Sequence, residues 1–486
     1  MSIARTIAKN TGILVALEII TRITGMILTI AIARTLGPAD FGFFTFAFSF
    51  GGLFGILATF GLDRLVTREV ARDHERTGSY LGRVLVVETA LSTIAMVLML
   101  AILPALGYQP SRILIVAMAG AIMLLDSFIR LIACFFRAYQ RMEYEALVRT
   151  FLRVVNVSIS LAVLCLGYGL MALVAAQLVV FTLALLLSLF IVRRKIARPV
   201  FTLHWRPYQV LLKAAVPFAL IMAFISIYQR TGTILLSLLQ GDEVTGWYSA
   251  AATFIRIFDF IPMGLEGALL PAMAQLGRSS QEAWHNAYRR SMKYLLVMAL
   301  PIAIGLAMRS SQFVRLLLGE QYSRSASILS VVIWVLAISF LNLGASNALI
   351  SIDKEKTYLR IVGFAAALNV AANWLLVPLL GPYGVAIAKL LTECVVLAGQ
   401  FYALALVGRN IQPGQIMAKP LASGLVLAAV LYLSKELSLP LVVPLGAMVY
   451  IAALLLLRTF EEDEILLMTD LVQSGLSKFR FRRSAL

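Results

Sequence analysis

Charge is scarce in this chain. Asp, Glu, Lys and Arg supply 14% of its 486 residues while hydrophobic residues supply 60%. A typical soluble domain is about 25% charged and 45–50% apolar. A water-soluble fold of this size could not hide such an excess, so a cytoplasmic enzyme and a secreted domain are excluded. Histidine is nearly missing: His74, His204 and His285 all fall between apolar runs, with no spacing that builds a metal site or a nucleophile triad. Cys134, Cys165 and Cys394 stand far apart without a CxxC, which excludes a disulfide scaffold and leaves them as small buried hydrophobes in apolar blocks. No GxxxxGK[ST] occurs, so the chain carries no ATP motor of its own, and nothing implies a cofactor. The weak ten-residue alternation of an outer-membrane barrel is missing too.

What the chain does have is apolar blocks of about 20 residues, the length that crosses a bilayer as helix. Fourteen are predicted, at 11–33, 41–62, 84–106, 112–134, 150–168, 170–192, 212–236, 248–274, 291–308, 326–350, 358–379, 383–407, 420–435 and 440–458. The first follows Arg5 and Lys9 without a small-residue cleavage site, so a retained helix is expected rather than a signal peptide. The net charge of +17 would suggest nucleic acid in a soluble protein, but here topology explains it and no nucleic-acid partner is implied. With the N-terminus inside, 30 of the 42 Lys and Arg residues fall in inner segments, 6 in outer loops and 6 within helices. That asymmetry predicts a multi-pass protein of the plasma membrane with both termini cytoplasmic.

The chain reads as two related halves. Gly42–Phe43–Phe44–Thr45–Phe46–Ala47 opens one apolar block, and Gly246–Trp247–Tyr248–Ser249–Ala250–Ala251 opens another 204 residues later. Gly167–Tyr168–Gly169 and Gly381–Pro382–Tyr383–Gly384 join blocks at nearly the same offset, and Arg22 and Arg230 correspond within a few residues. Six spans per half give both halves the same orientation, hence a parallel repeat about an axis along the membrane normal. The expectation is an all-α polytopic membrane protein. Its first lobe is 1–206 and its second 207–408, with two further spans in 409–460 and a cytoplasmic tail at 461–486. The tail, acidic at 461–464 and basic at 478–483, suits either an interfacial helix or a solvated end.

Ionisable residues inside apolar blocks are costly, at least about 2.5–3.5 kcal/mol at a helix centre, so each faces a partner or a wet cavity. Glu18 and Arg22, Asp126 and Arg130, Arg256 and Asp259, and Lys389 and Glu393 have spacings that permit pairing within a helix. Arg153 and Arg230 have no such neighbour in sequence, and Asn156, Asn342, Asn347, Asn369 and Asn373 add amides. Pairs that pin helix packing are one reading. The other is a cavity with surplus arginine for an anion, because guanidinium stays charged and grips phosphate with two parallel hydrogen bonds. Arg64, Arg68 and Arg72 recur on one helical stripe. They serve either as topological charge or as an inner-leaflet entry strip for anionic headgroups.

Ala33–Arg34–Thr35–Leu36–Gly37–Pro38–Ala39–Asp40–Phe41–Gly42, then Gly61–Leu62 and the arginine stripe, resembles the start of the Wzx-type polysaccharide flippase family. Gly241–Asp242–Glu243–Val244–Thr245–Gly246–Trp247–Tyr248 resembles its second-half counterpart, and Pro271–Ala272–Met273 is similar as well. The resemblance covers essentially the whole chain and extends to a superfamily that also holds multidrug/toxin extruders and lipid-linked peptidoglycan-precursor flippases. It implies a non-enzymatic transporter that works by alternating access, with fourteen helices in two six-helix lobes plus two. The implied cargo is an oligosaccharide on a polyprenyl (pyro)phosphate carrier, moved from inner to outer leaflet. Membrane lipids are implied partners, as are the glycan polymerase and glycosyltransferases of the same pathway. Arg22 and Arg256 match positions where relatives place cavity arginines; Arg230, Lys389 and Arg153 join them as phosphate-binding candidates by charge alone. Glu18, Asp259 and Glu393 are candidate ion-coupling sites. A peptidoglycan-precursor flippase, a multidrug/toxin cation antiporter and a membrane glycan polymerase or transferase are the competing readings.

Overall fold

The computed structural model describes residues 3–201, 205–258, 261–262, 273–277, 279–409, 413–461 and 463–464; the side chains at 3–22, 64, 68, 205, 217–218, 413 and 415 are also outside the description. Among the described residues the regular structure is helical throughout, with no strand. In chain order the helices are α1 (Ile3–Thr59), α2 (Leu62–Arg72), α3 (Thr77–Ile102), α4 (Pro110–Ala138), α5 (Met142–Cys165) and α6 (Gly169–Lys195). Then come α7 (Trp205–Gln240), α8 (Asp242–Phe258), α9 (Gln281–Met308), α10 (Ser310–Leu318), α11 (Ser323–Val332) and α12 (Trp334–Ser351). The last four are α13 (Glu355–Leu380), α14 (Pro382–Leu406), α15 (Pro413–Leu433) and α16 (Leu439–Leu456).

Twelve helices among these residues are long and apolar enough to cross a bilayer. The fourteen predicted segments all have a helical counterpart, because α1 carries two and α8 is described for 17 residues. α1 breaks at Gly37, where φ +79° and ψ 175° leave the helical region, a conformation open to glycine alone at little cost. The two arms of α1 return to one place: the Tyr322 hydroxyl donates to the Ala33 carbonyl at 2.9 Å, while its ring meets Phe41 edge-on at 6.3 Å. The arginine-rich stretch after Gly61, expected as a loop with helical spacing, is the helix α2. Leu62, Leu65, Val66 and Val70 are buried on its inner face. Among the cysteines Cys134 is buried, but Cys165 and Cys394 are exposed, because their helices turn those positions outward from the bundle. Leu425, Leu433 and Leu456 are among the large apolar side chains left exposed, as a hydrocarbon solvent allows.

The first six spans pack on one another, α1 against α3, α4 and α5, and α6 against α4 and α5. A second group forms from α7 on α13, α13 on α14, and α12 on both α9 and α14, and the pair α15–α16 leans on α9. The groups meet along α1 with α8 and α7. That seam is reciprocal. A Cβ on Gly42 would lie 1.7 Å from the Asp242 carbonyl oxygen, and a Cβ on Gly246 would lie 1.9 Å from the Pro38 carbonyl oxygen. Adding 204 to Pro38 and Gly42 gives Asp242 and Gly246, so each half offers the same glycine to the same carbonyl of the other. Thr45 Oγ1 and Ser249 Oγ, also 204 apart, hydrogen-bond to each other at 2.9 Å. An equivalent residue pair in mutual contact lies on the two-fold axis relating the halves. The sequence repeat is thus a structural one, and its glycines let two backbones touch.

Candidate functional site

A cavity of about 530 Å³ lies beside this seam. It is walled by the second arm of α1 from Gly52 to Thr59, by α4 and by α7, and reaches Gly61 and Asp63 at the α2 end. A second cavity of about 300 Å³ lies between α4, α5 and α6. Arg130 and Arg149 line both, so the two form one polar region. Around them stand Arg130, Arg137, Arg149, Arg153 and Arg230 against Asp63, Asp126 and Glu145. Five guanidinium groups facing three carboxylates leave a positive excess that suits an anion.

Packing sets each arginine. Arg130 pairs with Asp126 one turn back on α4. Glu145, its side chain almost fully buried on α5, holds Arg149 at 2.8 Å and Arg137 at 3.3 Å. A buried carboxylate that shares two guanidinium groups pins their positions but does not neutralise both. Arg230 crosses from α7 to the first bundle: Nη1 donates to the Phe48 carbonyl at 3.1 Å and Nε to Ser226 Oγ at 3.1 Å. Its guanidinium lies flat on Gly52, where a Cβ would come within 2.2 Å of it. Arg153 rests the same way on Gly25, 3.0 Å from a Cβ placed there.

The sequence candidates thus separate. Arg153 and Arg230 line the cavities. Arg256 is exposed on α8 and donates to Thr253 Oγ1 at 2.5 Å, outside both cavities. Lys389 is half-buried on α14. Glu393, one turn on, is buried in the second bundle, where the Tyr228 hydroxyl and the Asn342 amide (2.5 Å) donate to its carboxylate. Beside it Asn369 donates to Thr392 at 3.1 Å, and Asn373 donates to the Asn369 side chain at 2.9 Å. Arg72 is exposed, 3.9 Å from Glu69. Asp259 and the side chains of Glu18, Arg22, Arg64 and Arg68 lie outside the described residues, as does the tail from 465. Among the described residues no group of three or more His, Cys, Asp or Glu could hold a metal.

Three residues escaped the sequence reading. Arg137 and Arg149 counted as inner-loop charge, yet the helical ends of α4 and α5 turn them into the cavity. Their spacing from Glu145, eight before and four after, was the available signal. Glu88 on α3 is 1% exposed beside Ser127, and as the lone acid of an otherwise uncharged apolar block it was visible in the sequence.

Over residues 7–277, more than half of the chain, the sequence matches the family described as "Polysaccharide biosynthesis protein". The chain belongs to that family. Residues 217–375 also match the MatE family. A Shigella dysenteriae protein described as "Putative O-antigen transporter" is 28% identical over 216 residues, which is 43% of this chain. The chain spans about half (53%) of the length of that curated relative. Among solved structures, one titled "Lipid II flippase MurJ, inward closed conformation" superposes with a TM-score of 0.74 over 94% of this chain and 99% of that one, at 14% identity. An inward-facing multidrug resistance MATE family transporter of the MOP superfamily gives a TM-score of 0.65 over 81% and 96%, at 16% identity. At such identities the likeness shows the fold. The family membership and that fold together make this chain a multi-pass membrane protein of the Wzx type.

Proposed function

We propose that this protein moves an oligosaccharide linked to a polyprenyl (pyro)phosphate from the inner to the outer leaflet by alternating access, for cell-surface polysaccharide synthesis. The observation that carries this reading is the arginine excess around a cavity that is sealed at the Gly42–Gly246 end and extends toward α2. The cargo's constant part is an anionic phosphate that must leave water. Guanidinium groups held by Glu145, Gly52 and Gly25 replace the lost hydration without reorganising. With the termini cytoplasmic, the sealed end faces outward and the cavity faces the inner leaflet. The lipid tail stays in hydrocarbon while phosphate and sugars enter. Rocking the two bundles about their shared axis opens the seam and exposes the cargo outside.

In this reading Arg153 and Arg230, with Arg130, Arg137 and Arg149, hold the phosphate, and Arg22, Arg256 and Lys389 contribute on its path. Arg64, Arg68 and Arg72 guide the headgroup to the entry. The membrane potential, worth about 2.3 kcal/mol per charge per 100 mV, or an exchanged proton or sodium ion drives the cycle. Glu393 is the coupling candidate with its surroundings described, and Glu18 and Asp259 are the others. Arg230→Gln and Arg153→Gln are expected to abolish glycan export in cells with normal protein levels; intact export would refute the phosphate assignment. Labelled lipid-linked oligosaccharide should appear outside with its covalent structure unchanged, whereas a polymerase or transferase would alter it.

A second reading is favoured by the superposition on the lipid II flippase, whose named cargo also carries phosphate. Parallel export assays with a lipid-linked oligosaccharide and a lipid-linked peptidoglycan precursor separate the two. A cationic drug as cargo is disfavoured by the excess of guanidinium.

A further inference from the structure

At the α2 end, outside the arginine cavities, a groove of about 470 Å³ runs between α2, α3 and α7. Its polar lining is Arg83 and Tyr80 of α3, Arg206 of α7 and Glu69 of α2. Its floor is apolar, with Leu65, Pro207 and Val210 among the residues. The Arg83 Nε–H is buried and finds no acceptor among the described residues, while the guanidinium sits over the Tyr80 ring, 5.8 Å from its centroid. Arg206 is exposed. On the adjoining surface Val200, Phe201 and Val210 are 53%, 65% and 65% exposed. The end of the linker that carries Val200 and Phe201 is fastened to α3, with the Val200 amide donating to the Gly78 carbonyl at 2.8 Å.

We propose that this groove binds the headgroup of an anionic phospholipid resident in the leaflet that borders the α2 end. Two guanidinium groups above an apolar floor, next to a belt of exposed apolar side chains, match a phosphate carried above acyl chains. The unmet Arg83 donor needs an acceptor that a phosphate oxygen supplies and a neutral headgroup surface does not. Arg83 belongs to the first bundle and Arg206 opens the first helix of the second, so a bound headgroup ties the bundles together at this end. The proposal rests on the membrane-spanning fold and is independent of the cargo assignment.

Native mass spectrometry of the full-length protein in detergent tests it, with phosphatidylglycerol and phosphatidylcholine of equal chain length as probes. Phosphatidylglycerol should be retained preferentially. Arg83→Gln and Arg206→Gln should each weaken its binding about fivefold, and the pair about 25-fold. Arg76→Gln, which removes an exposed arginine ion-paired with Asp73 at the same end, should change nothing. Glu69→Gln should tighten binding, a gain that misfolding cannot mimic. Equal retention of the two lipids, an unaltered double variant, or displacement by millimolar inorganic phosphate would overturn the proposal, the last by showing that a free anion suffices. Glycan export does not enter this measurement, so the two readings fail separately.

Discussion

Gly42→Ala is the sharpest perturbation this structure offers. The added Cβ would sit 1.7 Å from the Asp242 carbonyl oxygen, whereas ordinary contact begins at 3.4 Å. The obstacle is backbone, and Gly246 nitrogen lies 2.7 Å away on the same helix, so no side chain can swing aside. Helices α1 and α8 must part by about as much as the missing clearance. Overpacking of this kind costs about 1–3 kcal/mol. At 1.4 kcal/mol per tenfold, the closed seam should lose about five- to 150-fold in population relative to the parted state. Cysteines in place of Thr45 and Ser249 report the seam directly, since the native hydroxyl oxygens are 2.9 Å apart and a disulfide needs close side chains. The parent double-cysteine protein should cross-link readily under mild oxidation. Adding Gly42→Ala should slow the cross-link at least fivefold, and so should Gly246→Ala, by the reciprocity of the contact. Gly305→Ala, where a Cβ meets nothing within 4 Å, should leave the rate unchanged. Cross-linking at the parent rate in both glycine variants would refute the reciprocal seam.

Gly52→Ala should reproduce the export defect of Arg230→Gln without touching the arginine, because the new Cβ displaces the guanidinium; normal export with normal protein levels would refute that placement. Arg309 is buried and donates to the carbonyls of Leu431 (2.9 Å), Ser434 (2.5 Å) and Lys435 (2.7 Å) at the end of α15. Arg309→Gln should cost about 2 kcal/mol, read as a lower Tm of the purified protein. Glu464, buried after α16, works against its own desolvation, but hydrogen bonds from Lys293, the Glu461 amide and Tyr294 hold its carboxyl below the ordinary value of 4.5. The exposed Glu461 is held lower chiefly by its hydrogen bond from Arg290. Depressed carboxylates stabilise above the ordinary value, and that contribution fades as pH falls through the folded-state value. Acidification below about pH 4.5 should therefore lower the Tm of the parent more than that of Glu464→Gln; parallel curves would refute the contribution.

Topology was legible because a bilayer demands it. Backbone groups in hydrocarbon must be satisfied within the segment, so each span must be a long apolar helix, and such runs stand out in a sequence. The repeat was legible for the same kind of reason: Gly42 and Gly246 stand where only a missing side chain lets two backbones touch. The site was legible in part. Arg153 and Arg230 were found because charge inside an apolar block is conspicuous. Arg137 and Arg149 were not, because near a helix end an arginine that lines a cavity looks the same as one that sets orientation.

From sequence alone came the all-helical membrane fold, its two matched halves and the surplus of arginine over acid within the spans. These follow from composition and period, which act along the chain. Tertiary structure alone decided which arginines share a cavity, that Glu145 binds two of them, that Arg230 lies on Gly52 rather than on an acid, and that Arg256 points elsewhere. Those facts depend on how helices rotate about their axes when packed, and a rotation of a few tens of degrees moves a side chain from lipid to cavity. Hydrophobic pattern fixes that angle loosely in a helix that is apolar all round; contacts from helices distant in sequence fix it tightly.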